Sequence, residues 1–390
     1  MQASPVSLLT PIGVSFYVST KSLNPHHYQL LVDRGWRRLP VDQFKPRRDQ
    51  RQAVNRWNKY VLGDEYLKHA AKLHPKSKEE KARRDEFSLI ATVHESEFVS
   101  VKLPPEPAHK FEVSLEADDF TNEKFELYKN YQHHVHHDAL GSISPNGFKR
   151  FLCNSPLQRT SSSGYLPRKL GSFHQCYRLD GRLIAMAVLD LLPHCVSGVY
   201  FVYHSDFEQW SFGKISALRE ASLALEEGYR YYYMGYYIHS CQKMRYKNDY
   251  KPQMVLDLAD LTWNLLDDQF LALLNQHHYL EPSSLEKKDS EKPDRQCFDS
   301  AVAACEAVDD GLSLFNVDFP GMMSASELVE QIDLQKITVQ LRPDLVLHTE
   351  NLMDWGEWSI YASDPKGLIA QIAACVGPEV AREMVISFSG

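Results

Sequence analysis

The sequence predicts a mixed α/β fold, a β-β-β-α-β run around one sheet. Three stretches carry that prediction. "SFHQCYRLDGRLIAMAVLDLLP" reads as two strands joined at Asp180–Gly181, a dipeptide that favours the tight turn of a hairpin. "CVSGVYFVYHSDF" follows as a third strand, rich in residues that suit a pleated surface. "SFGKISALREASLALEEG" then places Ile215, Leu218, Ala221, Ser222 and Leu225 on one helical face and leads into a fourth strand, "YRYYYMGYYI". A strand reached through a helix lies parallel to its predecessor.

The flanking elements follow the same logic. In "SLNPHHYQLLVDRGWRR" a helix begins at Asn24–Pro25, with Pro at the first helical position, and stops near Gly35. Residues 47–73 place Val54, Trp57 and Val61 at helical spacing with cations on the other faces, interrupted at Gly63. "HPKSKEEKARRDE" is polar and reads as exposed. "KFEVSLEADDF" alternates like a strand, and "NEKFELYKNYQHHVHHD" has helical periodicity. "QRTSSSGYLPRKLG" is a loop by composition. "SSLEKKDSEKPDR" reads as a mobile insertion near 281–296, and a terminal helix lies around "PKGLIAQIAACVG". The expected division is a basic N-terminal region, 1–110, and a larger mixed α/β domain, 111–390.

Composition narrows the class. The chain has 390 residues, 43% hydrophobic and 24% charged, ordinary for a globular protein. No apolar run is long enough to span a membrane. Seven scattered cysteines without a CxxC pair fit reduced thiols in cytosol or nucleus rather than a disulfide framework. The net charge is -8, yet Arg37 to Arg84 holds fifteen Lys/Arg against six Asp/Glu. A basic segment on an acidic chain is a candidate phosphate-binding surface; the plainer reading is a solvated helical face.

A sheet of this order occurs in the GNAT acyltransferase superfamily, which is an analogy of fold and not of substrate. A coenzyme-A enzyme would need a glycine-rich turn before the helix to hold the pyrophosphate. The turn here, "WSFGKIS", offers Gly213 alone, which argues against coenzyme A. No GxSxG-type nucleophile signature is present.

Longer motifs are more specific. "YQHHVHHD", "FKRFLCNSPL", "VYFVYHSDFEQWSFGKISALRE" and "YYYMGYYIHSCQKMRYKNDYKP", with the hairpin above, resemble the arginyl-tRNA–protein transferases and their bacterial leucyl-transferring relatives. Upstream, "DRGWRR" and "FKPRRDQRQAVNRWNKYVLG" look like the fungal members. The resemblance implies transfer of arginine from Arg-tRNA to the α-amine of proteins beginning with Asp, Glu or oxidised Cys, which marks them for degradation. Its implied partners are Arg-tRNA and acidic N-termini, without membrane or DNA. An aminoacyl ester is already activated, so the protein has to orient an amine, remove a proton and stabilise an oxyanion.

Three recognition tasks follow. An acidic acceptor wants cations and hydroxyls; the candidates are Lys243, Arg245, Lys247 and Arg219, with Tyr236, Tyr237 and Tyr246. Against this, Arg219 follows a buried helical face and could bridge locally. The donor arginine wants a carboxylate or an aromatic face; the candidates are Asp190, Tyr200 and Tyr203, although Asp190 also suits an ordinary turn. The tRNA wants phosphate contacts; the candidates are Arg47, Arg48, Arg51, Arg56 and Lys59, with Trp57 as core anchor or, as the lesser alternative, a base-stacking surface. No residue is singled out as the general base. His133, His136 and His137 invite a metal reading, but a histidine cluster on a helix is more often surface, and no metal site is expected there.

The resemblance breaks in one region. The family's N-terminal CxxC and Cys-Cys motifs, its metal or iron–sulfur ligands, have no counterpart in "TPIGVSFYVSTKS" or where "RGWRRLP" runs into "VDQFKP". An internal deletion is the expectation, with no cofactor. An impaired paralogue that binds tRNA or N-degrons as an adaptor is the alternative reading.

Overall fold

The computed structural model describes residues 20–34, 39–75, 77, 87–162, 168–258, 260–276, 280, 282–283, 313–316 and 321–387. The chain forms two compact units. One comprises Ser22–Gln29 and Trp36–Met254; the other comprises Met1–Lys21, Leu30–Gly35 and Val255–Gly390. The break therefore falls at 254/255 rather than 110/111. The physical reason is burial: Leu39, Trp57 and Leu89, all upstream of 110, share one core with Ile184 and Leu218. The polar stretch from His74 and the insertion near 281–296 lie largely outside the described residues.

The first unit holds a seven-stranded sheet. Its strands are β1 (Leu39–Pro40), β2 (Phe111–Ala117), β3 (Thr160–Ser161), β4 (Lys169–Leu179), β5 (Arg182–Leu191), β6 (Cys195–Tyr203) and β7 (Tyr231–Tyr233). The order is β1-β7-β6-β5-β4-β2, with β3 on β4. The β4–β5 turn is tight, with φ of 51° at Asp180 and 83° at Gly181, the left-handed pair that matches the twist of a hairpin. The Asp180 carboxylate fixes it, accepting from the Lys110 amide at 2.8 Å.

Alternation along β5 sends its side chains to two cores. Ala185, Ala187, Leu189 and Leu191 pack on one face, beneath α2 (Arg48–Leu62) and α7 (Phe212–Glu226). Met186 and Val188 pack on the other, against Phe125, Leu127 and Tyr128 of α5 (Asn122–Val135). Trp57 is the anchor of α2, only 1% exposed, edge-on to Phe111 at 5.3 Å and Phe212 at 4.9 Å. Its helix ends at Leu62, and Gly63 (φ 78°) opens the next one, α3 (Asp64–Leu73).

Two expectations change. The fourth strand is only Tyr231–Tyr233, because Gly235 at φ 75° turns the chain out of the sheet. The helix of the histidine cluster ends at Val135, so His136 and His137 lie beyond it and His133 shares no helical face with them.

The other unit has a second core, with Leu328, Ile337, Val339, Ile369, Ile372 and Ile386 in it. Strand β8 (Thr338–Arg342) pairs antiparallel with β9 (Leu345–His348) and parallel with β10 (Val385–Ser387). The expected terminal helix spans Pro365–Val376; its N-cap Asp364 accepts from the Gly367 amide at 2.9 Å.

Candidate functional site

The parallel pair β6–β7 is bonded only over Cys195–Ser197 and Tyr231–Tyr233. Strand β6 then continues to Tyr203 while the chain after β7 turns away. The sheet thus splits, with Ser197 and Tyr233 forming the last joined row. A shift in the β5–β6 register falls next to this vertex: Leu189 opposes Gly198 and Val188 opposes Tyr200, so Val199 bulges outward at 42% exposure.

Each face of the vertex carries a buried carboxyl group. On the α7 side, Glu220 lies behind Gly198. A Cβ on Gly198 would stand 2.8 Å from Glu220 Oε2, so no side chain fits there. Tyr232 donates its hydroxyl to Oε2 at 2.6 Å, and Ser216 donates to Oε1. Burial pushes the Glu220 carboxyl up to about 7. On the α5 side stands Asp190, directly opposite Ser172 on β4 and Ser197 on β6. Burial pushes it, too, up to about 7, against the pull of a hydrogen bond with Ser172.

The predicted acceptor residues divide. Tyr236 and Tyr246 are exposed, at 57% and 51%. Tyr237 hydrogen-bonds His239 Nδ1 at 2.9 Å, and exposed Arg245 donates its Nε to the His239 carbonyl at 2.8 Å. Lys247 is buried and donates to the Tyr236 carbonyl at 2.6 Å, so it ties the segment together from inside. Lys243 lies in the short helix Gln242–Arg245, and its side chain is outside what is described.

Arg219 is a correction. It is 4% exposed, ion-paired with Glu97, and donates to the Val93 carbonyl at 2.8 Å. A guanidinium so enclosed cannot present itself to an acceptor, and its function here is to hold Glu97 inside the core. His94 extends the network, reaching Glu226 at 2.7 Å and Glu97 at 2.9 Å; those two carboxylates hold its imidazole up to about 9.

The donor candidates also divide. Asp190 and Tyr200 share the α5 face; Tyr203 falls on the opposite face by alternation. The Tyr200 hydroxyl bonds Gln132 Oε1 and His136 Nε2, both at 3.1 Å, which accounts for one of the histidines. Tyr131 stands edge-on to both tyrosines, at 6.2 and 5.2 Å.

The basic helix presents its cations outward. Arg48, Arg51, Arg56 and Lys59 are exposed on α2, while Gln50, Ala53, Val54, Trp57 and Val61 are buried. Several of these cations have local partners: Arg47 pairs with Asp249, Lys59 with Asp64 at 3.3 Å, and Arg56 donates to the Gln209 carbonyl at 3.0 Å.

A cleft of about 540 Å³ lies elsewhere, between α5 and the residues around Arg182 and His204. Its charged groups are mutually engaged, Glu123 with Arg178 and Arg182 with Asp206. Among the described residues no three His, Cys, Asp or Glu side chains converge on a metal position, and the described cysteines, including Cys153, Cys195 and Cys241, are free thiols.

Glu220, Ser197, Ser172 and Tyr131 escaped the sequence reading. An acid inside "ALREAS" and a serine inside "CVSGV" were the available signals: both interrupt runs that otherwise face a core.

Residues 123–257 match the family model described as "Arginine-tRNA-protein transferase, C terminus". Arginyl-tRNA–protein transferase 1 of Arabidopsis thaliana is 45% identical over 162 residues, 40% of this chain and 26% of that protein. Arginyl-tRNA–protein transferase 1 of Saccharomyces cerevisiae is 37% identical over 188 residues, 43% of this chain and 37% of that protein. An aspartate/glutamate leucyltransferase of Pseudomonas fluorescens is 38% identical over 150 residues, 38% of this chain and 57% of that protein. The chain thus spans between a quarter and three fifths of the length of these relatives. The matched segment contains β4 to β7, helix α7, both carboxyls and the whole splayed vertex, so the similarity to the arginine-tRNA–protein transferases lies in that segment.

Proposed function

We propose that the chain transfers arginine from Arg-tRNA to the N-terminal α-amine of proteins beginning with Asp, Glu or oxidised Cys. The observation that carries this reading is the coincidence of the family segment with the split in the sheet, after which the chain carries exposed Tyr236, Tyr246 and Arg245. In the reaction the neutral amine attacks the ester carbonyl, the amine loses a proton, and the ribose hydroxyl of the tRNA leaves with one. The product is an amide and a deacylated tRNA. Because the ester is activated beforehand, positioning and electrostatics suffice, without a cofactor.

In this reading Asp190 with Tyr200 receives the donor, and Arg245, Tyr236, Tyr237 and Tyr246 receive the acidic acceptor, with Lys243 and Lys247 shaping the same segment. The outward cations of α2 meet tRNA phosphates. No helix among the described residues is long and apolar enough to cross a membrane; we place the reaction in cytosol or nucleus.

The test is an incubation of the purified chain with charged Arg-tRNA and peptides beginning with Asp or Ala. Transfer to the Asp peptide alone is the expected result. Binding of charged tRNA and peptide without transfer would replace the enzyme by an adaptor, and consumption of acetyl-CoA in place of Arg-tRNA would overturn the donor.

A further inference from the structure

A one-way chain of hydrogen bonds runs along the last turn of α5. Gln132 donates its Nε2 to the Tyr128 hydroxyl at 3.1 Å, which turns its amide oxygen toward β6. That oxygen, Oε1, accepts the Tyr200 hydroxyl at 3.1 Å. The same Tyr200 oxygen lies 3.1 Å from His136 Nε2. A phenol has one hydrogen, and an amide oxygen can only accept. Tyr200 therefore gives its hydrogen to Gln132, and His136 must donate its Nε2–H to Tyr200. The neighbours thus fix the tautomer: Nε2 carries the proton, and Nδ1 carries the lone pair.

That lone pair is available. His136 is exposed, and its Nδ1 has no hydrogen bond to any described residue. His133 differs, because its Nδ1 is engaged with the Asp138 carbonyl at 3.0 Å. Of the histidines in "HHVHH", His136 is the one held by a side-chain relay among the described residues.

The imidazole stands at the split. Ser197 closes the last joined row of β6 and β7; beyond bulged Val199, Tyr200 is the next residue of β6 on the α5 face. Tyr131 packs edge-on against the His136 ring at 5.3 Å and against Tyr200 at 6.2 Å. Burial pushes the Tyr131 phenol up to about 12, and Tyr203 and Tyr246 add to the shift. Tyr246 belongs to the segment after β7, so the acceptor candidates come up to the same aromatic group as His136. The titratable groups around the imidazole are thus Tyr128, Tyr131, Tyr200 and Tyr203, with Tyr246 across the split and Asp138 on its own segment.

We propose that His136 is the proton acceptor of the transfer reaction, with Tyr200, Gln132 and Tyr128 as its positioning residues. This rests on the reaction proposed above. The α-amine nitrogen bonds to the ester carbonyl carbon and passes a proton to Nδ1. The bond from that carbon to the ribose oxygen then breaks, and the leaving oxygen takes the proton from Nδ1. The imidazole ends neutral, and no further reactant is consumed. Imidazole changes charge between about pH 5 and 8, which suits it to both transfers near neutrality. The opposite tautomer would aim its lone pair at Tyr200 and an N–H at the amine, so the relay decides whether the base faces the reactants.

The test is single-turnover transfer from charged Arg-tRNA to a subsaturating peptide beginning with Asp, followed from pH 5 to 8. A free α-amine titrates near about 8 and an imidazole near about 6.5. With both required, the logarithm of the wild-type rate falls toward pH 5 with a slope approaching two. His136→Ala lowers the rate at pH 7.5 roughly a hundredfold, reduces the slope to one, and regains rate when free imidazole is added. His136→Gln keeps a donor for Tyr200 but has no titrating lone pair; it stays as slow as His136→Ala. Tyr200→Phe costs roughly three- to tenfold and keeps the slope of two, because the base survives without its orientation. Recovery of the rate by His136→Gln would show a structural role and overturn the proposal. So would a slope of two in His136→Ala, and in either case the transfer reaction itself would stand. A wild type that transfers nothing would sink the reaction, and its proton acceptor with it.

Discussion

Asp190 and Glu220 flank the same vertex from opposite faces of the sheet, and burial pushes both up to about 7. Their surroundings differ. Each oxygen of Glu220 accepts a hydroxyl, from Ser216 and from Tyr232. Asp190 has Ser172 on one side and, on the other, Ser197, whose hydroxyl has no partner among the described residues. Burial and a raised pKa therefore do not distinguish a carboxyl with a closed set of hydroxyl donors from one beside an unsatisfied hydroxyl; the state of the neighbouring hydrogen bonds does. Glu220 is closed and braces α7 against β7. Asp190 belongs to an open array.

The largest effect expected from this contrast is that of Glu220→Ala. It strips two buried hydroxyls of their acceptor and leaves a void, costing about 3–5 kcal/mol in a urea unfolding experiment. If the loss were no greater than for Asp190→Ala, the contrast between closed and open sites would be broken.

Next comes pH. Both carboxyls have folded pKa values raised to about 7, so the folded chain holds these protons after the unfolded chain has released them. Their contribution is fully present below pH about 4 and is lost as pH rises to about 7, by on the order of 3 kcal/mol each. Urea midpoints measured from pH 4.5 to 8 fall with a slope that Glu220→Gln or Asp190→Asn roughly halves. A slope unchanged by both substitutions would mean that neither carboxyl is protonated in the folded chain at neutral pH.

The smallest effect is the sharpest comparison, because one substitution is made on both faces. Ser216→Ala removes a hydroxyl that Glu220 uses and costs about 1–3 kcal/mol. Ser197→Ala removes a hydroxyl with no partner and leaves stability within about 1 kcal/mol, or raises it. Equal destabilisation by the two would show that Ser197 is satisfied in the folded protein.

Much of the fold was legible in one dimension. The Asp180–Gly181 turn, the helices from Pro25, Arg48 and Phe212, and the strand at Phe111 follow from local signals whose physics is local. The extent of β7 was not. The aromatic run continues to Tyr237, but Gly235 turns the backbone out of the sheet, and an unbroken pattern of side chains conceals that bend. Arg219 was misplaced for a related reason: helical spacing sets its angular position but not whether Glu97, more than a hundred residues earlier, awaits it. The polar row across the sheet, Asp118, Ser172, Asp190, Ser197 and Tyr233, was out of reach for the same cause. Its members come from five separate strands or strand ends, and only pairing brings them into line.

That assembly makes a buried row of polar side chains depend on strand alignment. In a strand, a slip of one residue sends every side chain to the other face. If β6 slipped by one position, Val196 or Gly198 would take the place of Ser197; if β5 slipped, Leu189 or Leu191 would replace Asp190. Such a chain would keep most of its backbone pairing and still lose its array of acceptors. The row thus acts as a combination lock set by the alignment of the strands: a misregistered molecule loses the line of Ser172, Asp190 and Ser197 altogether, with its backbone ladder almost intact.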